Sequence, residues 1–205
     1  RPPRSTLFPY TTLFRSSMDL HAAQIQGFFN IPVDHLLGVP ILAPYYAEKF
    51  GDDKDDLIVV SPDLGSVTRA RNFADRLDVP LAIIDKRRPK ANVAEVMNVI
   101  GEIKDKRIIL VDDMIDTAGT FCHGAKALKD RGAKEIYACA THPVLSGPAV
   151  ERIEQSEIDE LLVLDTIVLP PEKKLDKIKV MSVAPVFAEA IERVYEDLSV
   201  STLFV

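Results

Sequence analysis

The chain has 205 residues, of which 47% are apolar and 27% charged, enough for one α/β domain with a real core or one domain plus part of another. That balance excludes a short peptide module and a mainly disordered chain, and 9 Gly with 14 Pro and no Trp exclude collagen-like or low-complexity character. The net charge of -6 repels a phosphate backbone, so generic nucleic-acid binding is not expected and any anion site must be a local concentration of positive charge.

The two cysteines, Cys122 and Cys139, form neither a metal knuckle nor a CxxC pair. They read as small core residues of a protein in a reducing cytoplasm. The uncharged stretches Leu36 to Ala47 and Ile136 to Val150 are broken by prolines and fall short of a bilayer span, so no membrane contact is expected.

Residues 1–17, RPPRSTLFPYTTLFRSS, carry Arg but no acid and show no sustained period of 2 or 3.6. Thr6 to Ser16 resembles the in-frame translation of a sequencing-library adapter. Residues 1–17 are therefore expected to be a non-native leader without fixed structure. Asp19-Leu20-His21 then reads as the end of a strand, placing a carboxylate and an imidazole where an open α/β sheet binds ligands.

Further along, short β-branched runs alternate with helical patterns, the sign of a mostly parallel sheet with crossover helices. Strands are expected at Leu57 to Val60, Leu81 to Ile84, Arg107 to Val111, Ile136 to Ala140, Leu161 to Leu164 and Ile178 to Ser182. Helices are expected at Val67 to Leu77, Gly119 to Arg131 with Gly132 closing it, around Pro148 to Glu154, and at Ala184 to Asp197. The acidic tract Gly51 to Asp56 reads as a solvated loop that opens a strand.

The sharpest chemical signal is Ile108 to Thr120, IILVDDMIDTAGT. An apolar strand delivers Asp112 and Asp113 to its C-terminal end, and Asp116 opens a small-residue loop, Thr117-Ala118-Gly119-Thr120, that runs into a helix. Backbone amides at such a helix start favour a phosphate dianion, and Gly119 permits close approach. Acids repel the phosphate itself, so Asp112 and Asp113 suit vicinal sugar hydroxyls, directly or through Mg²⁺. A plain helix N-cap explains one acid, not three ahead of this loop. Neither GxxxxGK[ST] nor GxGxxG occurs in the chain.

This stretch resembles the phosphoribosyl diphosphate signature of the type I phosphoribosyltransferase fold. The resemblance implies a fold of a mostly parallel sheet with flanking helices, 5-phosphate on Asp116 to Thr120, and ribose hydroxyls on Asp112 and Asp113. Three further segments are similar to the ribose-phosphate diphosphokinase family: Asp19 to Phe29 (DLHAAQIQGFF) with Pro32 and Asp34, Ser61 to Arg71 (SPDLGSVTRAR), and Asp85 to Pro89 (DKRRP). The ending Ser199 to Phe204 is also similar to that family's C-terminus.

The resemblance implies that the diphosphoryl group of ATP passes to C1 of ribose 5-phosphate, giving 5-phosphoribosyl 1-diphosphate and AMP. It implies Mg²⁺ on His21 and Asp63, with Lys86 and Arg88 as catalytic cations on a flexible loop and Arg88 also facing ribose 5-phosphate. His35, His123 and His142 are given structural roles, with His142 a candidate for lining the site. The family further implies a homo-oligomer, hexameric at full length, with ADP or phosphate regulation.

Residues 18–43 are expected to be the remnant of an N-terminal domain and 44–205 a phosphoribosyltransferase-like domain. The chain on its own is expected to make little or no product. Two other readings stand beside this one. A nucleobase phosphoribosyltransferase accounts for Asp112 to Thr120 alone, and a non-catalytic regulatory homologue would not need His21, Asp63, Lys86 and Arg88.

Overall fold

In the computed structural model, residues 15–87 and 96–204 are described. Seven strands form one sheet in the spatial order β5-β4-β3-β6-β7-β8-β9. They are β3 (Leu57–Ser61), β4 (Leu81–Arg87), β5 (Val96–Ile100), β6 (Arg107–Ile115), β7 (Glu135–Pro143), β8 (Glu160–Leu164) and β9 (Ile178–Met181). All neighbours run parallel except β5, which pairs antiparallel with β4. The expected fold class, a mostly parallel sheet with flanking helices, is the one observed.

The central strands read as continuous apolar runs because both faces of the sheet are covered. Alternate side chains divide between two cores. Ile58, Val60, Ile108, Leu110, Ile136 and Ala138 face α3 (Gly119–Lys129) and α4 (Ala149–Glu154). Leu57, Val59, Ile109, Val111, Cys139 and Leu162 face α1 (Val39–Phe50), α2 (Val67–Leu77) and α5 (Ala184–Tyr195). Cys139 is fully buried, as a small apolar residue would be, and Cys122 is half-buried against the first core.

Four features differ from the sequence reading. Residues Arg15–Met18 form a strand, β1, which pairs parallel with β2 (Val33–Leu36) as a separate two-stranded sheet, so Arg15 to Ser17 are ordered by pairing that their own pattern does not announce. The uncharged stretch near residue 40 is helix α1 despite Pro44, since Leu42, Tyr46 and Phe50 bury one face of it. Because α1 is continuous over residues 43 and 44, the expected domain boundary there falls inside a helix packed on the main sheet.

The fourth difference is the length of β4. The ladder with β5 carries it through Arg87, so Lys86, expected on a loop, sits in a strand opposite Met97. Arg88 and the Pro89 to Asn92 break lie outside the described residues. No described helix is long and apolar enough to cross a membrane.

Candidate active site

A cavity of about 730 Å³ opens at the C-terminal edge of the parallel strands, the usual ligand position in such sheets. Asp19 and His21, which follow β1, line it together with Asp63 after β3, Asp112 and Asp113 in the C-terminal half of β6, and the loop Asp116 to Thr120. The strand edge thus gathers every expected site residue that is described except Lys86, which is not among the lining residues.

The acid pair is held in a defined geometry. Asp112 Oδ1 accepts the Ser66 hydroxyl at 2.6 Å and the Asp113 amide at 2.8 Å. Asp113 Oδ2 lies 2.6 Å from His21 Nδ1, which donates to it. Burial pushes the Asp112 carboxyl up to about 6, against the lowering effect of the Ser66 and Asp113 hydrogen bonds, while the charges of Asp113 and Asp63 add to the rise.

Burial alone would raise Asp113 too. Its hydrogen bonds with His21 and Asp112 and the Arg69 charge outweigh that and hold it below the usual carboxylate range. At neutral pH Asp113 is therefore ionised, and the hydrogen bond that its carboxylate accepts from His21 raises the histidine above an ordinary imidazole.

With Nδ1 committed to Asp113, His21 keeps Nε2 without a protein partner among the described residues, and its side chain is 71% exposed. A carboxylate behind one imidazole nitrogen fixes the tautomer that offers the other nitrogen to a metal. Asp63 uses Oδ1 to accept the Ser66 amide at 3.0 Å, which leaves its second oxygen uncommitted among the described residues. No cluster of three or more His, Cys, Asp or Glu side chains forms a metal cage among the described residues. Two protein ligands fit Mg²⁺, which keeps several waters and takes substrate phosphates instead of a full protein cage.

Beneath the site lies a buried polar network that sequence reasoning did not find. Asp19, 1% exposed, adopts φ 43 and so turns the chain sharply after β1. Its Oδ1 pairs with Arg69 Nη1 at 2.6 Å, and its Oδ2 accepts the Gly38 amide at 2.8 Å and the Thr141 hydroxyl. His142 Nε2 donates to the Asp19 carbonyl at 3.0 Å, so this histidine supports the turn from below instead of lining the cavity.

His35 does line the cavity, and its Nε2 accepts the Leu20 amide at 2.8 Å. Burial lowers its affinity for a second proton, which agrees with the accepting role. A signal for Ser66 and Arg69 was available, since residues three apart at the start of a helix share one face. None existed for Arg152, whose Nη1 reaches the Thr117 carbonyl at 2.9 Å across 35 residues of sequence.

The loop itself has the geometry of an anion cradle. Ala118 takes a left-handed conformation, φ 60 and ψ 3, immediately before α3. Among the described residues, no protein acceptor bonds the amides of Thr117, Ala118, Gly119 or Thr120. Successive unpaired amides around an αL residue form a concavity suited to phosphate.

A sequence profile described as "Phosphoribosyl synthetase-associated domain" matches residues 85–205, more than half of the chain. The chain belongs to that family. It is 68% identical over 188 residues to the "Ribose-phosphate pyrophosphokinase" of Clostridium tetani and 69% identical over 188 residues to that of Caldanaerobacter subterraneus. Each alignment covers 92% of this chain and 59% of the relative.

Among solved structures, the "phosphoribosylpyrophosphate synthetase from Mycobacterium smegmatis" superposes with a TM-score of 0.82 at 41% identity, covering 90% of this chain and 59% of that one. The kinship expected from Asp19 to Phe29, Ser61 to Arg71 and Ile108 to Thr120 is thus found. The chain spans about three-fifths of the length of these relatives.

Proposed function

We propose that this chain carries the ribose 5-phosphate and metal side of a ribose-phosphate diphosphokinase. The observation that carries this reading is the convergence of His21, Asp63, the Asp112 and Asp113 pair and the Asp116 to Thr120 loop on one cavity. The names of the relatives support the same reaction. A nucleobase phosphoribosyltransferase would need the acids and the loop but gives no reason for the His21 contact with Asp113.

In the proposed reaction, the loop amides and the Thr117 and Thr120 hydroxyls hold the 5-phosphate. The free oxygens of Asp112 and Asp113 fix the ribose 2- and 3-hydroxyls. With the sugar held at both ends, its C1 hydroxyl oxygen is presented to the β-phosphorus of ATP for in-line attack. A bond forms between that oxygen and phosphorus, the bond to the AMP oxygen breaks, and the hydroxyl proton is lost to solvent.

Alignment and charge neutralisation are the main requirements of such a transfer. His21 and Asp63 would hold Mg²⁺, which supplies positive charge opposite the phosphates. Lys86 and Arg88 are proposed to approach the transferring phosphates, and ATP and ribose 5-phosphate are the proposed substrates. A homo-oligomer is the proposed assembly of the longer protein.

Calorimetry with ribose 5-phosphate and Mg²⁺ tests the reading. Saturable binding is expected, weakened by at least tenfold in Asp113→Asn, on the order of one charged hydrogen bond. Turnover of 5-phosphoribosyl 1-diphosphate with a nucleobase, or no binding of ribose 5-phosphate, would overturn it. AMP release by this chain is expected to be far below the roughly 1 to 1,000 per second of ordinary enzymes.

A further inference from the structure

The phosphate loop does not hold its own shape. Three successive carbonyls on its outer side are tied to one segment, residues Leu145 to Arg152. The Leu145 amide donates to Ile115 O at 3.0 Å, the Ser146 amide to Asp116 O at 3.0 Å, and Arg152 Nη1 to Thr117 O at 2.9 Å. The Ser146 hydroxyl also donates to the Asp116 carboxylate.

Every described peptide bond here is trans, and in a trans unit the next N–H points opposite to the C=O. Holding the three carbonyls outward therefore turns the amides of Asp116, Thr117 and Ala118 the other way, toward the cavity that these residues line. Leu145 is fully buried yet adopts φ 47, a region unfavourable for a bulky side chain. The core holds it there, and this conformation lets two consecutive amides face the end of β6.

Arg152 differs from the other two anchors because it is a charged side chain. It is exposed, and no carboxylate pairs with it among the described residues, in a chain whose net charge is -6. Its Nη1 also lies 3.7 Å from the point that a Cβ on Gly119 would occupy, so the guanidinium runs close behind the loop. Its bond to a carbonyl polarises the Thr117–Ala118 peptide and strengthens the Ala118 N–H as a donor.

We propose that Arg152 is a positioning residue of the phosphate cradle: it acts from behind, through the Thr117 carbonyl, to aim the Ala118 amide at a phosphate monoester. The proposal deepens the functional reading above and rests on it for the identity of the ligand. Arg152 does not line the cavity, so its effect reaches the ligand through the backbone.

The test uses the full chain with ribose 5-phosphate and, separately, inorganic phosphate, read by calorimetry and by the amide resonances of Thr117 and Ala118. Arg152→Ala is expected to move those resonances in the ligand-free protein and to weaken binding of both probes about tenfold. Arg152→Lys is expected to recover most of the affinity, since one N–H donor makes the contact. Mn²⁺ binding and the urea midpoint should stay within error of the unsubstituted chain, because Arg152 is exposed and remote from His21 in its contacts.

Unchanged affinity in Arg152→Ala, unmoved amide resonances, or a lysine variant as weak as the alanine variant would each overturn the proposal. Failure of the unsubstituted chain to bind either probe would instead overturn the phosphate reading itself, and the cradle's role with it.

Discussion

Asp19 shows how one buried carboxylate can decide where a surface histidine sits. Its two oxygens receive Arg69 from α2, Gly38 from the start of α1 and Thr141 from β7, so three elements meet on one side chain. The turn it makes then delivers His21 to Asp113 two residues later. Gly38 is required by close approach, because a Cβ there would meet Thr141 Oγ1 and lie 2.8 Å from Asp19 Oδ2.

Removing the carboxylate leaves a largely buried guanidinium without its partner, a change that costs about 3–5 kcal/mol in comparable pairs. Asp19→Ala should therefore lower the stability measured by urea denaturation by about that amount. Asp19→Asn, which keeps acceptors for Gly38 and Thr141, should lose less. Equal stability of Asp19→Ala and the unsubstituted chain would show that the network is not what fixes this turn.

The acids and the loop of this site were legible in sequence because they are contiguous and end an apolar strand. Asp19 was legible only as part of a run. Its partners Arg69, Gly38 and Thr141 are separated by up to 122 residues, and no local pattern encodes such a meeting.

Among the elements, those with one strong period lie where their sequence pattern places them: α2 at both Val67 and Leu77, and β8 and α5 within a few residues. Helix α1 is not announced by its sequence although Val39, Leu42, Ala43, Tyr46 and Phe50 follow helical spacing. Pro40 and Pro44 masked it. A proline at the helix start is harmless, since its amide would be unpaired anyway, and Pro44 removes one hydrogen bond that burial of Tyr46 and Phe50 offsets.

Strand β4 runs past its expected end at Ile84 into the charged Asp85-Lys86-Arg87, which pairing with β5 explains and the local sequence does not. The acidic tract before β3 is mostly exposed, as expected of a solvated loop, yet Asp53 and Asp56 in it also clamp Arg107 at the start of β6, and the guanidinium sits 4.9 Å from the Phe50 ring centre at the end of α1.

This clamp predicts a pH dependence. Burial alone would raise the Asp56 carboxyl, but the hydrogen bonds and charges of Arg107 and Lys134 outweigh it and hold it below its ordinary 3.8. A carboxyl lowered on folding contributes stability above its unfolded value, and that contribution is lost as pH falls through the folded one. Asp56→Ala should cost about 1–3 kcal/mol at neutral pH. The gap from the unsubstituted chain should close as pH drops below 3.8, and urea midpoints measured from pH 7 to 2.5 would check both parts. A gap that stayed constant over that range would assign the effect to packing on Phe50 instead.

At the scale of the whole molecule, stability cannot be uniform. The seven-stranded sheet has apolar cores on both faces, so its central strands β3, β6 and β7 should open only with global unfolding. Strands β1 and β2 form a parallel pair with no third strand among the described residues, and such a pair is marginal by itself in water. The link between them leaves Ile25, Phe28 and Phe29 exposed, with Phe28 at 85%, so little burial supports it.

What holds this part is the buried end of β1 and β2, Met18 and Leu36, together with the Asp19 network. Amide exchange should therefore fall into two classes: Arg15 to Met18 and Val33 to Leu36 should exchange orders of magnitude faster than Val59, Ile109 or Cys139. Ligand at the cavity draws on both parts, since Asp19 and His21 line it beside Asp113 and the loop. A ligand opposes every opening that destroys its site, by about 2.7 kcal/mol at one hundred times its dissociation constant, and leaves unchanged any local opening that keeps the site intact. Ribose 5-phosphate with Mg²⁺ should thus slow exchange in β1 and β2 while leaving the fast opening of β9 at the far edge unchanged. Uniform protection of β1 and β9 would mean that the two-stranded sheet moves with the main body and that the cavity has one rigid wall instead of one rigid and one yielding.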